Sequence, residues 1–253
     1  MSRPAFDAAV RIGGSTYSKE PLAKQIDELR ELGFDFAEID LAYVRSTPRA
    51  LREQAKVLST RLPLETAHLP ASRFHQADLA HFVGFIDALV PLGTRIFNVH
   101  LMEAKAGPRV APEAKASWLA DLVRAASDRG VVLTLENVDE SPAELRPALD
   151  AAPGLAFCLD LGHAHLDGRA DGGRTYLEAL GDRLGLVHAH DNHGGHGKAG
   201  DEHLPFGLGT IDLERDLRAI RGAGYDGRVT LELFKGTPDE RKASLRKVRR
   251  WAR

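Results

Sequence analysis

Eight short apolar runs rich in β-branched residues alternate with longer stretches of helical periodicity along the whole of this 253-residue chain. Few architectures accommodate that rhythm. The runs that read as strands are "AAVRIG" (8–13), "FAEID" (36–40), "LETAH" (64–68), "RIFNVHL" (95–101), "VVLTLEN" (131–137), "LAFCLDL" (155–161), "LGLVHAH" (184–190) and "RVTLELF" (228–234). Between them lie helical patterns such as "PLAKQIDELREL", where Leu22, Ile26, Leu29 and Leu32 recur on one face. A basic segment, "DERKASLRKVRRWAR", reads as a closing helix. Gly33, Gly93, Gly130 and Gly224 stand where helices should end in a left-handed cap.

The strands are nearly continuous apolar runs, as expected of parallel strands covered on both faces. Eight of them, each followed by a helix, predict an α/β fold of the (β/α)8 TIM-barrel type, a single domain over residues 1–253. The length suits one such barrel, and neither a long linker nor a change of composition divides it. An open dinucleotide-binding sheet would place a GxGxxG turn after the first strand. "RIGGST" has two glycines there but not that spacing.

In barrels of this type chemistry sits at the C-terminal ends of the strands. Read in order from strand 3, those ends carry His68, His100, Glu136, Asp160 with His163 three residues on, His188 and His190, and Glu232. These are ionisable residues in strands that should otherwise be buried, and no Lys or Arg stands beside them in sequence. Carboxylates left unpaired in such a place cost several kcal/mol each. A divalent cation is the simplest compensation, and a His/Asp/Glu ligand set suits zinc or manganese. The expected metal site is therefore the C-terminal rim. The loop "HAHDNHGGHGKAGDEH" (188–203) follows strand 7 on the same rim, and its glycine-rich tip, with His193 and His196, reads as solvent-facing.

The segments "CLDLGHAH", "HAHDNHGGHGKAGDEHLPFGLGTID" and "GYDGRVTLELF" resemble the xylose isomerase-like TIM-barrel superfamily. That superfamily takes in sugar and sugar-phosphate isomerases and epimerases, related dehydratases, and the endonuclease IV type of DNA-repair enzyme. The resemblance runs along essentially the whole chain and is strongest from Glu136 to Glu232. For the isomerase branch it implies one divalent metal held by Glu136, Asp160, His188 and Glu232. His190 stays open as an alternative to His188, since residues two apart in a strand point to one face. "H-x-x-D" at 188–191 fits the family's strand-7 pattern better with His188. The endonuclease IV branch holds up to three zinc ions, and the resemblance supplies the further ligands His68, His100, His163, Asp201 and His203.

Two chemistries follow. The reading placed first is isomerisation or epimerisation of a small sugar or sugar phosphate through an enediolate. In it Glu136 and Glu232 exchange protons from opposite sides of the substrate, and His163 holds a substrate hydroxyl. The alternative is hydrolysis of a phosphodiester by a zinc cluster, with nucleic acid as partner under that reading only. Behind these stand a lyase or dehydratase and a non-catalytic metal-binding barrel. The formal charge of −2 argues against a protein built around a phosphate backbone. Arg45, Arg49, Arg73, Lys105 and Arg109, with Tyr43 and Phe74, are scattered over the candidate rim loops. Arg109 or Lys198 would offer a phosphate contact. The lone Cys158 suits a reducing compartment, and the N-terminus has no apolar signal core, nor does any run approach membrane length. The expectation is a cytoplasmic protein without a membrane partner, with self-association left open.

Overall fold

The computed structural model describes residues 10–17, 20–44, 47–70, 76–101, 112–169 and 171–251. Eight parallel strands close into a barrel: β1 (Arg11–Ser15), β2 (Phe36–Asp40), β3 (Leu64–His68), β4 (Ile96–His100), β5 (Val132–Glu136), β6 (Ala156–Asp160), β7 (Leu184–Ala189) and β8 (Arg228–Leu231). The seam is β1 against β8, in register from Arg11 beside Arg228 to Gly14 beside Leu231. Around the barrel run α1 (Leu22–Leu32), α2 (Pro48–Leu58), α3 (Gln76–Leu89), α4 (Pro112–Ser127), α5 (Pro142–Ala151), α7 (Gly172–Leu180), α9 (Leu213–Gly222) and α10 (Pro238–Trp251). Two short turns of helix, α6 (Leu161–His165) and α8 (Gly197–Gly200), follow β6 and β7 and are too brief to show a period in the sequence.

Local sequence sets the boundaries. Thr47 caps α2 by accepting from the Ala50 N–H, and Pro48 occupies the first turn, where no amide hydrogen is needed. Ser141 and Glu144 form a capping box on α5. All four glycines expected to end helices adopt positive φ, with Gly33 at +92° the clearest case.

The first strand departs from the sequence reading: it runs over 11–15, not 8–13. Gly13 and Gly14 lie inside it. A Cβ on Gly13 would sit 2.2 Å from the Phe36 ring, and one on Gly14 2.4 Å from Leu29. The pair therefore makes room for bulky neighbours and does not turn the chain.

The apolar layer between sheet and helices holds fully buried side chains such as Ile26, Leu51, Phe97, Leu135 and Phe157. Inside the barrel a smaller plug of Ile96, Cys158 and Leu186 fills the floor. Above it, register stacks polar residues in rows: Asp40 beside His68 beside Asn98, His100 beside Glu136 beside Cys158, and Asp160 beside His188 beside Thr230. Parallel register carries each row sideways, so strand ends far apart in sequence meet at one mouth. Among the described residues no helix is long and apolar enough to cross a membrane.

Candidate metal centre

Glu136 ends β5, is 1% exposed, and is the hub of the mouth. Its Oε2 lies 3.2 Å from His68 Nε2, 3.5 Å from His100 Nε2 and 3.3 Å from His188 Nδ1, while Oε1 lies 3.1 Å from His163 Nδ1. The Asn98 amide also donates to Oε2, and its own orientation is fixed by Thr134, whose hydroxyl donates to Asn98 Oδ1 at 2.8 Å.

Three groups of ligand-type atoms surround this hub. The first is His68, His100 and Glu136, with the two imidazole Nε2 atoms 3.0 Å apart. The second centres on His188, whose Nδ1 is 3.3 Å from both Glu136 Oε2 and Glu232 Oε1. The third is His163, His190, Asp201 and His203. Asp160 lies between the groups: its ligand oxygen is within 4.8 Å of those of Glu136 and His163, and its Oδ1 is 3.4 Å from His190 Nε2. Asp160 also caps α6 by accepting from the His163 N–H at 2.7 Å, which leaves Oδ2 buried with no hydrogen-bond partner.

Three of the imidazoles are oriented from behind by backbone carbonyls. His68 Nδ1 faces the Leu69 carbonyl at 2.8 Å, His163 Nδ1 the Asn137 carbonyl at 3.0 Å, and His203 Nδ1 the Glu232 carbonyl at 3.1 Å. A carbonyl can only accept, so Nδ1 carries the hydrogen and the Nε2 lone pair is turned inward. His188 is reversed, with Nε2 facing Glu38 Oε2 at 3.2 Å and Nδ1 turned to the mouth. Glu38 is wholly buried and also accepts from Thr66 Oγ1 at 2.7 Å and Thr230 Oγ1 at 3.3 Å.

The donor set fits divalent cations. Glu38 Oε1, Asp160 Oδ2, His188 Nδ1, His190 Nε2 and Asp201 Oδ1 are all buried without a hydrogen-bond partner, a costly state unless something else binds them. Among the described residues no Lys or Arg forms an ion pair with Glu38, Glu136, Asp160, Asp201 or Glu232; their partners are imidazoles. Metal–nitrogen bonds of about 2.0–2.1 Å place the ligand atoms of a tetrahedral site roughly 3.3–3.4 Å apart. Around Asp201 Oδ1 the contacts run from 3.0 to 3.6 Å, and within each group the ligand atoms all lie within 4.8 Å of one another.

The electrostatics have the same origin. Burial works against charge on Glu136, yet the surrounding imidazoles of His188, His100 and His163 hold its carboxyl well below the usual range. Burial likewise opposes protonation of His68, but its hydrogen bond to Glu136 raises it to about 10. Burial, helped by the Glu136 and Asp160 charges, pushes Glu232 up to about 8.

The candidate metal ligands drawn from the sequence, from His68 to Glu232, stand together at this mouth. His188 and His190 both point inward, but His188 joins Glu136 and Glu232 whereas His190 joins Asp201. His193 and His196 lie exposed on the loop tip, paired with Glu202 at 2.8 Å and Asp167 at 2.7 Å. Arg49, Lys198 and Tyr43 are exposed. Arg45, Arg73, Phe74, Lys105 and Arg109 lie outside the described residues.

Sequence reasoning gave no role to four residues that build the site. Glu38 sits two positions before its strand end, and the one available signal was an acid inside the apolar run "FAEID". Asn98 and Asn137 are amides; Asn137 grips the Asp160 backbone with Nδ2 on its carbonyl at 3.0 Å and Oδ1 on its N–H at 2.9 Å. Asp191 accepts from the N–H groups of Gly207, Gly209, Asn192 and Ile211 at 2.8–3.1 Å. It shapes the loop that returns Asp201 and His203 to the mouth.

A closed (β/α)8 barrel with a buried cage of imidazoles and carboxylates at its C-terminal mouth is the class that fold and site define. The chain belongs to the xylose isomerase-like TIM-barrel family, whose model matches residues 26–253. An uncharacterised protein of Methanocaldococcus jannaschii is 32% identical over 126 residues, which is 46% of this chain and 41% of that one. A probable endonuclease 4 of Mycobacterium ulcerans is 37% identical over 71 residues, 28% of each chain. The chain thus spans less than half the length of the curated relatives it matches. Among solved structures, a D-tagatose 3-epimerase-like protein superposes with a TM-score of 0.76 at 23% identity, over 96% of this chain and 97% of that one. D-allulose 3-epimerase from Methylomonas sp. gives 0.75 at 19% identity over 98% and 99%. A Thermus thermophilus protein soaked with zinc chloride gives 0.68 at 24% identity over 96% and 97%. Likenesses at these identities establish the fold.

Proposed function

We propose that this mouth is a multinuclear divalent-metal centre, zinc-type from its imidazole-rich donor set, that hydrolyses a phosphodiester bond. The observation that carries the reading is Glu136: its Oε2 stands within 3.5 Å of inward-facing imidazole nitrogens from two separate groups, His68 and His100 in one and His188 in the other. A carboxylate so engaged is suited to bridge two cations, and it is not free to shuttle protons to a sugar carbon. Divalent cations held there would supply Lewis acidity, lowering the pKa of a water to about 7 and offsetting charge on the phosphoryl group. The chain's own residues fix the geometry. Asn98 holds the Glu136 carboxylate, Glu38 holds the far nitrogen of His188, and backbone carbonyls hold His68, His163 and His203. The local match to a probable endonuclease 4 supports this reading.

Sugar or sugar-phosphate epimerisation at a single cation is the second reading. It is favoured by the near-complete superposition on D-allulose 3-epimerase. It is also favoured by the pairing of Glu136 and Glu232, each 3.3 Å from His188 Nδ1. Metal analysis of zinc-replete protein, together with turnover of bis(4-nitrophenyl) phosphate and of ketohexoses, separates the two. Two or three ions per chain with diester hydrolysis are expected. One ion per chain with epimerisation at C3 would displace the hydrolase reading.

A further inference from the structure

The third group at the mouth has one more ligand than the resemblance implies. That resemblance assigns His163, Asp201 and His203; the structure adds His190. Its ring is wholly buried, and its Nε2 has no hydrogen-bond partner. This nitrogen lies 3.5 Å from Asp201 Oδ1, itself buried and unpartnered. His163 Nε2 is 3.6 Å and His203 Nε2 3.0 Å from the same oxygen, and all four ligand atoms lie within 4.8 Å of one another. These separations bracket the edge of roughly 3.3–3.4 Å expected around a tetrahedral cation bonded at about 2.0–2.1 Å.

The ring of His190 is held so that this nitrogen cannot turn away. Its Nδ1 faces the Asp191 carbonyl at 3.5 Å, and the ring stacks on His203 at 3.9 Å, which stacks in turn on Phe234 at 3.9 Å. On the other side Gly162 leaves the room the ring occupies, since a Cβ there would lie 2.0 Å from His190 Cε1. A side chain placed this firmly, with its lone pair on a shared point, is pre-organised for a ligand.

Resting on the multinuclear reading of the mouth, we propose that His163, His190, Asp201 and His203 form a closed, four-ligand site for a tetrahedral divalent cation of the zinc type. Three imidazoles and a carboxylate satisfy such an ion completely, with no position left for water or substrate. By contrast, His68, His100 and Glu136 supply three ligands and leave a fourth position open. The chain therefore divides its cations by role. The ion at the closed site would tie α6, through His163, to the residue that follows β7, His190, and to the loop carrying Asp201 and His203. Chemistry belongs to the open positions around Glu136.

The test uses full-length zinc-replete protein. A chromophoric chelator in excess resolves the ions by release rate, and anomalous diffraction at the zinc edge locates them. One slowly released ion per chain is expected, with an anomalous peak bonded to all four side chains and to no water. His190→Ala should release that ion at least about tenfold faster and leave the other ions' release unchanged. The inference is overturned if the peak is bonded to three protein ligands and a water while His190 turns to Asp160, whose Oδ1 is 3.4 Å away. It is equally overturned if the slow class survives His190→Ala. The crystallographic arm needs no variant, so a poorly folding substitution does not remove the test. Protein that takes up no divalent ion at any position sinks the multinuclear reading itself, a result distinct from either of these.

Discussion

At the N-terminal end of the barrel, Glu65 of β3 meets Arg11 at 2.6 Å and Arg228 at 2.7 Å, across the seam where β1 and β8 close the sheet. At the opposite end Glu38, Glu136, Asp160 and Glu232 are deeper, and among the described residues their ion-pair partners, like those of Asp201, are imidazoles. Both ends gather charged side chains from strands distant in sequence. One end is neutralised by guanidiniums of the chain itself, always charged and partly in water. The other is left to groups that can exchange a proton for a cation. The lower end needs nothing from outside to be stable. The upper end has its charge balanced only by protons or metal, so its electrostatics depend on what it binds.

Three experiments probe that contrast. Glu136→Ala should have the largest effect. With the shared carboxylate gone, both groups around it lose a ligand, diester hydrolysis should fall about a thousandfold, and elemental analysis should show fewer ions per chain. Unchanged metal content would end the idea that this carboxylate is shared. Glu38→Gln acts one step further out, weakening the hold on His188 Nε2. Zinc affinity in a chelator competition should drop by about 10–100-fold. No change would mean that the hydrogen bond between His188 Nε2 and Glu38 does not set the metal affinity. Glu65→Gln, at the lower end, should lower stability in urea by only about 1 kcal/mol, because its partners are partly exposed. It should leave metal content as in the parent protein. A loss of metal there would show the two ends to be coupled.

Much of this molecule could be read before its structure. β2 and β3 coincide with their apolar runs and five other strands lie within theirs, because helical periodicity and capping glycines bound them on both sides. β1 lies two to three residues further along than its apolar run, and the Phe36 ring packed over Gly13 shows why both glycines belong in the strand. The gathering of strand-end residues was legible because barrel topology sends them all to one mouth. What stayed hidden was depth and partnership. His188 and His190 share a face, so sequence could not tell that one would join Glu136 and the other Asp201. Glu38 lies below the rim, out of reach of a search confined to strand ends. Asn137 and Asp191 work through backbone atoms that no side-chain pattern encodes.

Cys158 in the barrel floor gives the molecule a built-in reporter. It is the chain's one thiol, it is fully buried beneath Glu136 and His188, and burial pushes its pKa up, so reagents that attack thiolates find it both hidden and protonated. Alkylation must wait for the strands to part. The rate at which this single sulfur is trapped is thus a clock for barrel opening, and it needs no engineered probe.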